Sequence, residues 1–407
     1  MALADLTDWL DEFLKPGRII FAKRLSGNDT LANGSHQAGP YIPKEFLFRV
    51  IPAINRTDIL NPDAWFDLAI DSHPDFRKVR AIYYNNRFHG KPKGGRNEAR
   101  LTNFGGAASP LLDPDSTGAV ALFSFRRVEA GEQPGCHVWI ARHATEEDLI
   151  EDRIGPVEPG RYVVWTADVV QPDLFRVPER PSCWLADDEI PEGWKTSFPP
   201  GTEIVRKAVE LRPCDGLEPD ARLLRRLACE YEIFQSVEHA IELPAILRGF
   251  ESLDAFLKRA QTILQRRKAR AGRSLELQTR EILIEERLIE GTHFSHQPES
   301  DPGKRPDFLF PSQAAYQNPG FPDSRLRMLA VKTTCRDRWR QVLNEADRIR
   351  RKHLLTLQEG VSEGQFREMH ESGVQLVVPS GIIRAYPDAV QPHLQTLESF
   401  IGDVRLL

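Results

Sequence analysis

The chain has 407 residues, 41% of them hydrophobic and 28% charged, the balance of a globular protein with more length than one core comfortably organises. Two domains joined by a linker are therefore expected. The formal charge of −5 excludes a surface coated in positive potential, so any nucleic-acid contact has to come from local basic patches.

No apolar run reaches the roughly eighteen residues of a membrane span. Residues 1–15 carry Asp5, Asp8, Asp11 and Glu12 where a signal peptide would be basic and then apolar. A cytoplasmic, soluble protein with no membrane partner is expected. Residues 1–175 read as mostly β, because short runs at 47–51, 81–84, 120–125, 137–141 and 162–165 alternate with Gly, Pro, Asn and Asp turns. Helices are expected at 6–14 and near 64–72. Two long polar loops stand out, 23–41 with Gly27, Gly34 and Gly39, and 86–100 with Lys91, Lys93, Arg96 and Arg100 around Asn97 and Glu98. Such loops suit a DNA groove, with Lys and Arg on phosphates and Asn, Arg and Glu on base edges. Ordinary solvated loops are the other reading.

Residues 176–202 read as a semi-extended linker, with Pro178, Pro181, Pro191, Pro199 and Pro200 among acidic residues. Trp184, Trp194 and Phe198 predict that it packs along a domain surface. From 203 onward the helical period dominates. Leu223, Leu224, Leu227, Tyr231, Phe234 and Val237 predict a helix over about 219–242. A second helix starts near Ser252 and ends in the basic cluster Arg266, Arg267, Lys268 and Arg270, either a solvated face or a phosphate contact. A third spans 274–286. Strand-like segments at 308–310, 328–333, 353–357 and 375–379 follow, with a helix over 339–351, so this half reads as α/β with a mixed sheet flanked by helices. The five cysteines, Cys136, Cys183, Cys214, Cys229 and Cys335, have no C-x-x-C spacing and are expected to be reduced core thiols rather than zinc ligands.

The stretch 306–345 carries the chemistry. Pro306-Asp307 ends a polar loop and opens the apolar run 308–310, so Asp307 sits at the mouth of a strand. The next apolar run ends at Lys332, 25 residues after Asp307. Two neighbouring strands would bring the pair together. A carboxylate that holds Mg2+ beside a cation that steadies phosphate charge is what phosphodiester hydrolysis requires. On spacing alone a solvated strand edge is the commoner reading of such a pair.

The segments K-R-L-S-G-N-D-T, H-Q-A-G-P-Y-I-P, R-A-I-Y-Y-N, R-A-G-R-S-L-E-L, R-P-D-F-L-F-P-S and M-L-A-V-K-T-T-C-R-D-R-W-R-Q, spread over the whole length, closely resemble the EcoRII-type restriction endonucleases. That resemblance implies an N-terminal B3-like pseudobarrel that binds DNA (1–175), the linker (176–202) and a C-terminal PD-(D/E)XK nuclease domain (203–407). It further implies a homodimer, Mg2+, and cleavage of double-stranded DNA before the first C of CCWGG, where W is A or T. A second copy of the site would bind the N-terminal domain, which otherwise screens the catalytic cleft. A near-palindromic target matches a two-fold dimer.

The resemblance assigns Glu276, Asp307, Lys332 and Glu345 to catalysis, with Asp307 and Glu345 on the metal. It departs from the simple motif at Ala330, where an acid would stand two residues before the lysine; Glu345, on the following helix, takes that role. Ala330 also motivates an alternative, a sequence-specific DNA-binding regulator with an inactive nuclease fold. Tyr316 matches a position implicated in catalysis. Arg336, Asp337 and Arg338 resemble the base-reading triad, arginines forking onto guanine and Asp accepting from cytosine. Arg226 and Tyr231 are candidates for holding a flipped central base, although Leu227 stands one turn before Tyr231. In the N-terminal domain the resemblance places His36, Tyr41, Lys91, Lys93, Arg96, Glu98 and Arg100 on DNA, with Ala99 where the family pattern has a further basic residue.

Overall fold

The computed structural model describes residues 3–34, 39–90, 93–126, 134–166, 183–214 and 216–407. Two units emerge, Met1–Val177 with Gln358–Gln365 and Ala385–Ala389, and Pro178–Leu357 with Phe366–Arg384 and Val390–Leu407.

In the first unit β1 (Arg18–Arg24), β2 (Asp63–Ile70), β3 (Asp75–Tyr84), β4 (Glu98–Thr102), β5 (Val120–Arg126), β6 (Gly135–Ile140) and β7 (Tyr162–Thr166) form one sheet in the order β4-β3-β2-β6-β5-β1-β7. All neighbours are antiparallel except β2 and β6. β5 is buried at every position but its last, so both faces of this half-barrel are covered. One core gathers Ile19, Phe21, Phe46, Phe66, Phe123 and Phe125 under α2 (Lys44–Val50). The other gathers Leu6, Leu10, Ile20, Trp139 and Ile150 under α1 (Leu3–Phe13) and α3 (Ala144–Ile154). Arg24 is buried and ties β1 to α3 through Glu147 at 2.7 Å and Glu151 at 2.9 Å.

Two expected elements exchange type here. The run at 47–51 lies mostly in helix α2, because Phe46, Leu47 and Val50 fall on one helical face after Pro43 starts the turn. The expected helix near 64–72 is strand β2, where Phe66, Leu68 and Ile70 alternate inward at a period of two.

The second unit holds α4 (Glu192–Thr196), α5 (Gly201–Leu211), α6 (Pro219–Arg248) and α7 (Leu253–Glu285) ahead of a five-stranded sheet. Its strands are β8 (Ser295–His296), β9 (Phe308–Phe310), β10 (Arg327–Lys332), β11 (Lys352–Thr356) and β12 (Val374–Val377), with α8 (Gln313–Gln317), α9 (Trp339–Val342), α10 (Glu363–Glu371) and α11 (Leu397–Val404) between or after them. The order is β12-β11-β10-β9-β8, parallel from β10 to β12 and antiparallel at β8 and β9. This is the mixed sheet expected for the α/β half. Leu275, Ile282 and Leu283 of α7 pack on Phe308, Leu329 and Val331, with Phe400 and Ile401 of α11.

The two helices expected at 252–270 and 274–286 are one helix, α7, continuous through Gly272. A glycine inside a helix costs about 1 kcal/mol, and a ladder to α6 offsets it. Arg259 and Arg266 meet Glu242, Arg267 meets Glu238, and Arg270 meets Glu230, at 2.5 to 2.8 Å. The basic cluster, offered by the sequence as a solvated face or a phosphate contact, is thus paired inside the fold. The helix expected over 339–351 shrinks to α9, because Ala346 adopts φ +49° and turns the chain. Residues after 182 pack as their aromatics predict, with Cys183, Leu185 and Ile190 in a core with Ile204, Ile233 and Phe234. Cys183 and Cys229 form a disulfide across 46 residues, correcting the expectation of five reduced thiols. Packing of the segment on α6 brings the pair together, and no local spacing announces it; Cys136, Cys214 and Cys335 are in no disulfide.

Candidate active site

The register of β8, β9 and β10 assembles the centre. His296 pairs with Phe308 and the Gln297 amide donates to the Asp307 carbonyl at 2.9 Å, while Leu329 faces Phe308 across the other ladder. Asp307 therefore lies between Gln297 and the end of β10. Its Oδ2 accepts the Val331 amide at 2.7 Å and stands 3.4 Å from Lys332 Nζ. α7 runs beside β10, with the Thr333 hydroxyl donating to the Ala271 carbonyl at 3.3 Å. One turn and a half further along that helix Glu276 is buried, and its Oε1 takes His296 Nε2 at 2.5 Å and Gln297 Nε2 at 2.7 Å.

The acids and the lysine act on one another's charge. Burial raises the Asp307 carboxyl above its ordinary value against the pull of Lys332 and the Val331 amide, and the Glu276 charge raises it further. Burial opposes the charge on Glu276 too, but His296 and Gln297 hold its carboxyl below the usual range. Glu345, in the turn after α9, is pushed up to about 7 by burial, with the Asp307 charge adding to the rise and Lys332 and Lys352 opposing it. Glu345 Oε2 is buried without a hydrogen-bond partner. The structure thus brings Glu276, Asp307, Lys332 and Glu345 into one electrostatic cluster.

Tyr316 is buried, and its hydroxyl donates to Asp301 at 2.8 Å and accepts the Arg348 amide at 3.2 Å. Burial pushes that phenol up to about 12, so it stays protonated at neutral pH. Arg336, Asp337 and Arg338 form the turn between β10 and α9, with Asp337 exposed. Arg226 is 1% exposed and serves the fold, donating to the Arg212 and Pro213 carbonyls and to Glu285 at 2.7 to 3.0 Å. Tyr231 lies under the Arg270 guanidinium at 4.6 Å. Arg226 and Tyr231 stand five residues apart on α6 and project from different faces of the helix.

In the first unit Tyr41, Tyr84, Arg96 and Arg100 line one cavity of about 250 Å³. Glu98 lies 3.1 Å from Arg100 and 3.8 Å from Arg96, whose guanidinium also covers Tyr84 at 5.1 Å. Arg100 Nε is buried without a partner. Lys93 is exposed, and Ala99 is on the buried side of β4 with Leu101. His36 and Lys91 lie outside the described residues. Sequence reasoning missed His296, Gln297, Asp301 and Lys352: the first three act on side chains 15 to 21 residues away, Lys352 grips backbone carbonyls six and seven residues before it, and none belongs to a spaced motif.

A half-barrel unit with an arginine-lined cleft and an α/β unit that clusters carboxylates round a lysine are the two parts of a restriction endonuclease, and the comparisons agree. The model described as "Restriction endonuclease EcoRII, N-terminal" matches residues 15–169, and "EcoRII C terminal" matches 234–401. "Type II restriction enzyme EcoRII" of Escherichia coli is 43% identical over 99% of this chain and 98% of that protein. The chain belongs to the EcoRII family and is a type II restriction endonuclease. That sets aside the inactive-regulator alternative. Among solved structures, metal-depleted Ecl18kI in complex with uncleaved, modified DNA is 18% identical, covering 53% of this chain and 80% of that chain at a TM-score of 0.43. The UbaLAI restriction endonuclease B3 domain with cognate DNA is 20% identical, covering 39% and 98% at a TM-score of 0.28. Among the described residues no helix is long and apolar enough to cross a membrane.

Proposed function

We propose that this endonuclease is a homodimer with a PD-(D/E)XK centre that hydrolyses double-stranded DNA before the first C of CCWGG-like sites, with Mg2+. The observation that carries the chemistry is the buried, unpartnered Oε2 of Glu345 in the electrostatic field of Asp307 and Lys332. A buried carboxylate oxygen of this kind destabilises the fold unless a proton or a cation meets it. Mg2+ takes one or two carboxylates and completes its sphere with water and phosphate oxygens. Asp307 and Glu345 would be those two carboxylates; among the described residues no group of three or more His, Cys, Asp or Glu side chains is placed to hold a metal. When bound there, the ion supplies Lewis acidity to the scissile phosphate.

The remaining work falls to the chain itself. Lys332 neutralises charge gathering on the phosphate oxygens and orients the attacking water. Glu276, fixed by His296 and Gln297, orients that water from the α7 side. Arg336, Asp337 and Arg338 form the turn that begins four residues after Lys332, so base reading and the lysine share one strand-to-helix connection. The decisive experiment is cleavage of a plasmid with several CCWGG sites by wild type and Asp307→Ala. The variant loses detectable cutting; undiminished cutting would overturn the assignment.

A second copy of the site is proposed to bind the cleft of Tyr41, Arg96, Glu98 and Arg100, with His36, Lys91 and Lys93 on its phosphates, and to relieve autoinhibition. Because Cys183, Leu185 and Ile190 belong to the core round α6, a shortened chain is best begun at Cys183. It should cut single-site DNA faster than the full chain, and equal rates remove the regulatory claim.

A further inference from the structure

The turn that carries Glu345 is anchored at four consecutive residues. Lys352, the first residue of β11, is 5% exposed, and its Nζ donates to the Glu345 carbonyl and to the Ala346 carbonyl, the latter at 2.7 Å. On the other side Asp301 Oδ2 accepts the Asp347 amide at 3.2 Å and the Tyr316 hydroxyl at 2.8 Å, and that hydroxyl accepts the Arg348 amide at 3.2 Å. Between these holds Ala346 is fully buried at φ +49°, a left-handed conformation that residues with a Cβ rarely adopt. A backbone in that form persists only where its surroundings over-determine it. The backbone from 345 to 348 is thus held at every residue, while the Glu345 carboxylate it presents has an oxygen with no partner. Lys352 itself cannot drift, since its own amide donates to the Gly373 carbonyl at 2.9 Å in the β11 ladder.

We infer that Lys352 is a positioning residue for metal binding: by bridging two successive carbonyls it holds the left-handed turn that aims Glu345 toward the cation shared with Asp307, and Tyr316 with Asp301 braces the same turn from its far side. Neither Lys352 nor Tyr316 needs to touch substrate in this role. A lysine suits it because a compact ammonium carries three rotatable donors, enough for two carbonyls that point to one side of a turn. The inference rests on the reading that Asp307 and Glu345 hold the metal.

The test uses the full chain with a recognition duplex blocked against cleavage, and reads Mn2+ binding from the EPR signal of the free ion. Lys352→Met should weaken Mn2+ binding by about tenfold, the lower end of what losing a residue behind a metal ligand costs. The Mg2+ concentration for half-maximal cutting of ordinary DNA should rise by the same factor, with turnover recovering at saturating Mg2+. Lys352→Arg, which keeps donors at the site, should restore most of the affinity. A purely architectural lysine would instead lower the folded fraction and leave the half-saturation point unchanged, and that result overturns the inference. If Lys352→Met does not fold, Tyr316→Phe decides, since it removes one hydroxyl and should shift Mn2+ affinity in the same direction; an unmoved affinity overturns the inference. Glu345→Gln separates the two layers. If it leaves Mn2+ binding intact, the metal reading itself fails, whereas a loss there with no effect of Lys352→Met rejects only the positioning role.

Discussion

Two arginine clusters in this chain look alike in sequence and differ in the fold. Arg266, Arg267 and Arg270 lie along α7, and each faces a glutamate of α6 buried to 6% or less. Arg96 just before β4 and Arg100 within it have side chains 49% and 33% exposed, share Glu98, and line a cavity with Tyr41 and Tyr84. The α7 cluster closes a helix pair, and the β4 cluster leaves an opening with the buried Arg100 Nε still unpartnered. A run of basic residues becomes a nucleic-acid contact only if tertiary structure does not deliver acids to it.

The largest expected effect tests the first half of that contrast. Glu230→Ala leaves the buried Arg270 without its carboxylate, and breaking such a pair costs about 3 to 5 kcal/mol. Thermal unfolding should register the loss; if the melting temperature holds, the ladder is not structural. The next effect tests the second half. Arg100→Ala should weaken binding of a CCWGG duplex by about 1 to 3 kcal/mol, while stability stays within about 0.5 kcal/mol. Fluorescence anisotropy and a melting curve on the same variant give both numbers, and an unchanged affinity would empty the cleft of its proposed role. Lys93, exposed beside it, should matter less: Lys93→Ala is expected to lower the slope of log affinity against log salt by about one unit.

The smallest effect concerns the acids rather than the arginines. A carboxyl whose folded pKa of about 7 lies above its ordinary 4.5 stabilises the fold below pH 4.5, and that contribution disappears as pH rises through 7. In metal-free buffer Glu345→Gln should therefore be more stable than wild type at pH 8, by about 1 kcal/mol after allowance for its partial exposure, and equal to it at pH 4. Denaturant midpoints at the two pH values check the sign. Added Mg2+ should reverse the order at pH 8, because only the wild type gains a ligand.

The meeting of Asp307 with Lys332 was legible in the sequence. Asp307 opens and Lys332 closes apolar runs whose pairing the register realises. Strand and helix identity was less legible where apolar residues are continuous. The 47–51 run could have been either element, and Pro43 together with packing made it helical. In β2 the alternation of Phe66, Leu68 and Ile70 was present but interrupted by Trp65 and Ala69, which blurs a period of two into something closer to a helical pattern. The site's supporting residues were illegible for a stronger reason: His296, Gln297 and Asp301 meet Glu276 and Tyr316 across chain separations that no local spacing encodes, and Lys352 meets backbone carbonyls, which no side-chain pattern announces.

By itself the sequence determined which side chains could do chemistry and the family to which they belong, because acid, lysine and arginine types in a fixed order survive in the one-dimensional string. Only the tertiary structure decided which charges are left to act. The α6 glutamates neutralise one basic run, Glu98 half-neutralises another, and Lys352 grips the backbone of Glu345 so that its carboxylate stays buried and unpartnered. Charge pairing and burial depend on distance in space, and that distance exists only once the strands and helices have packed.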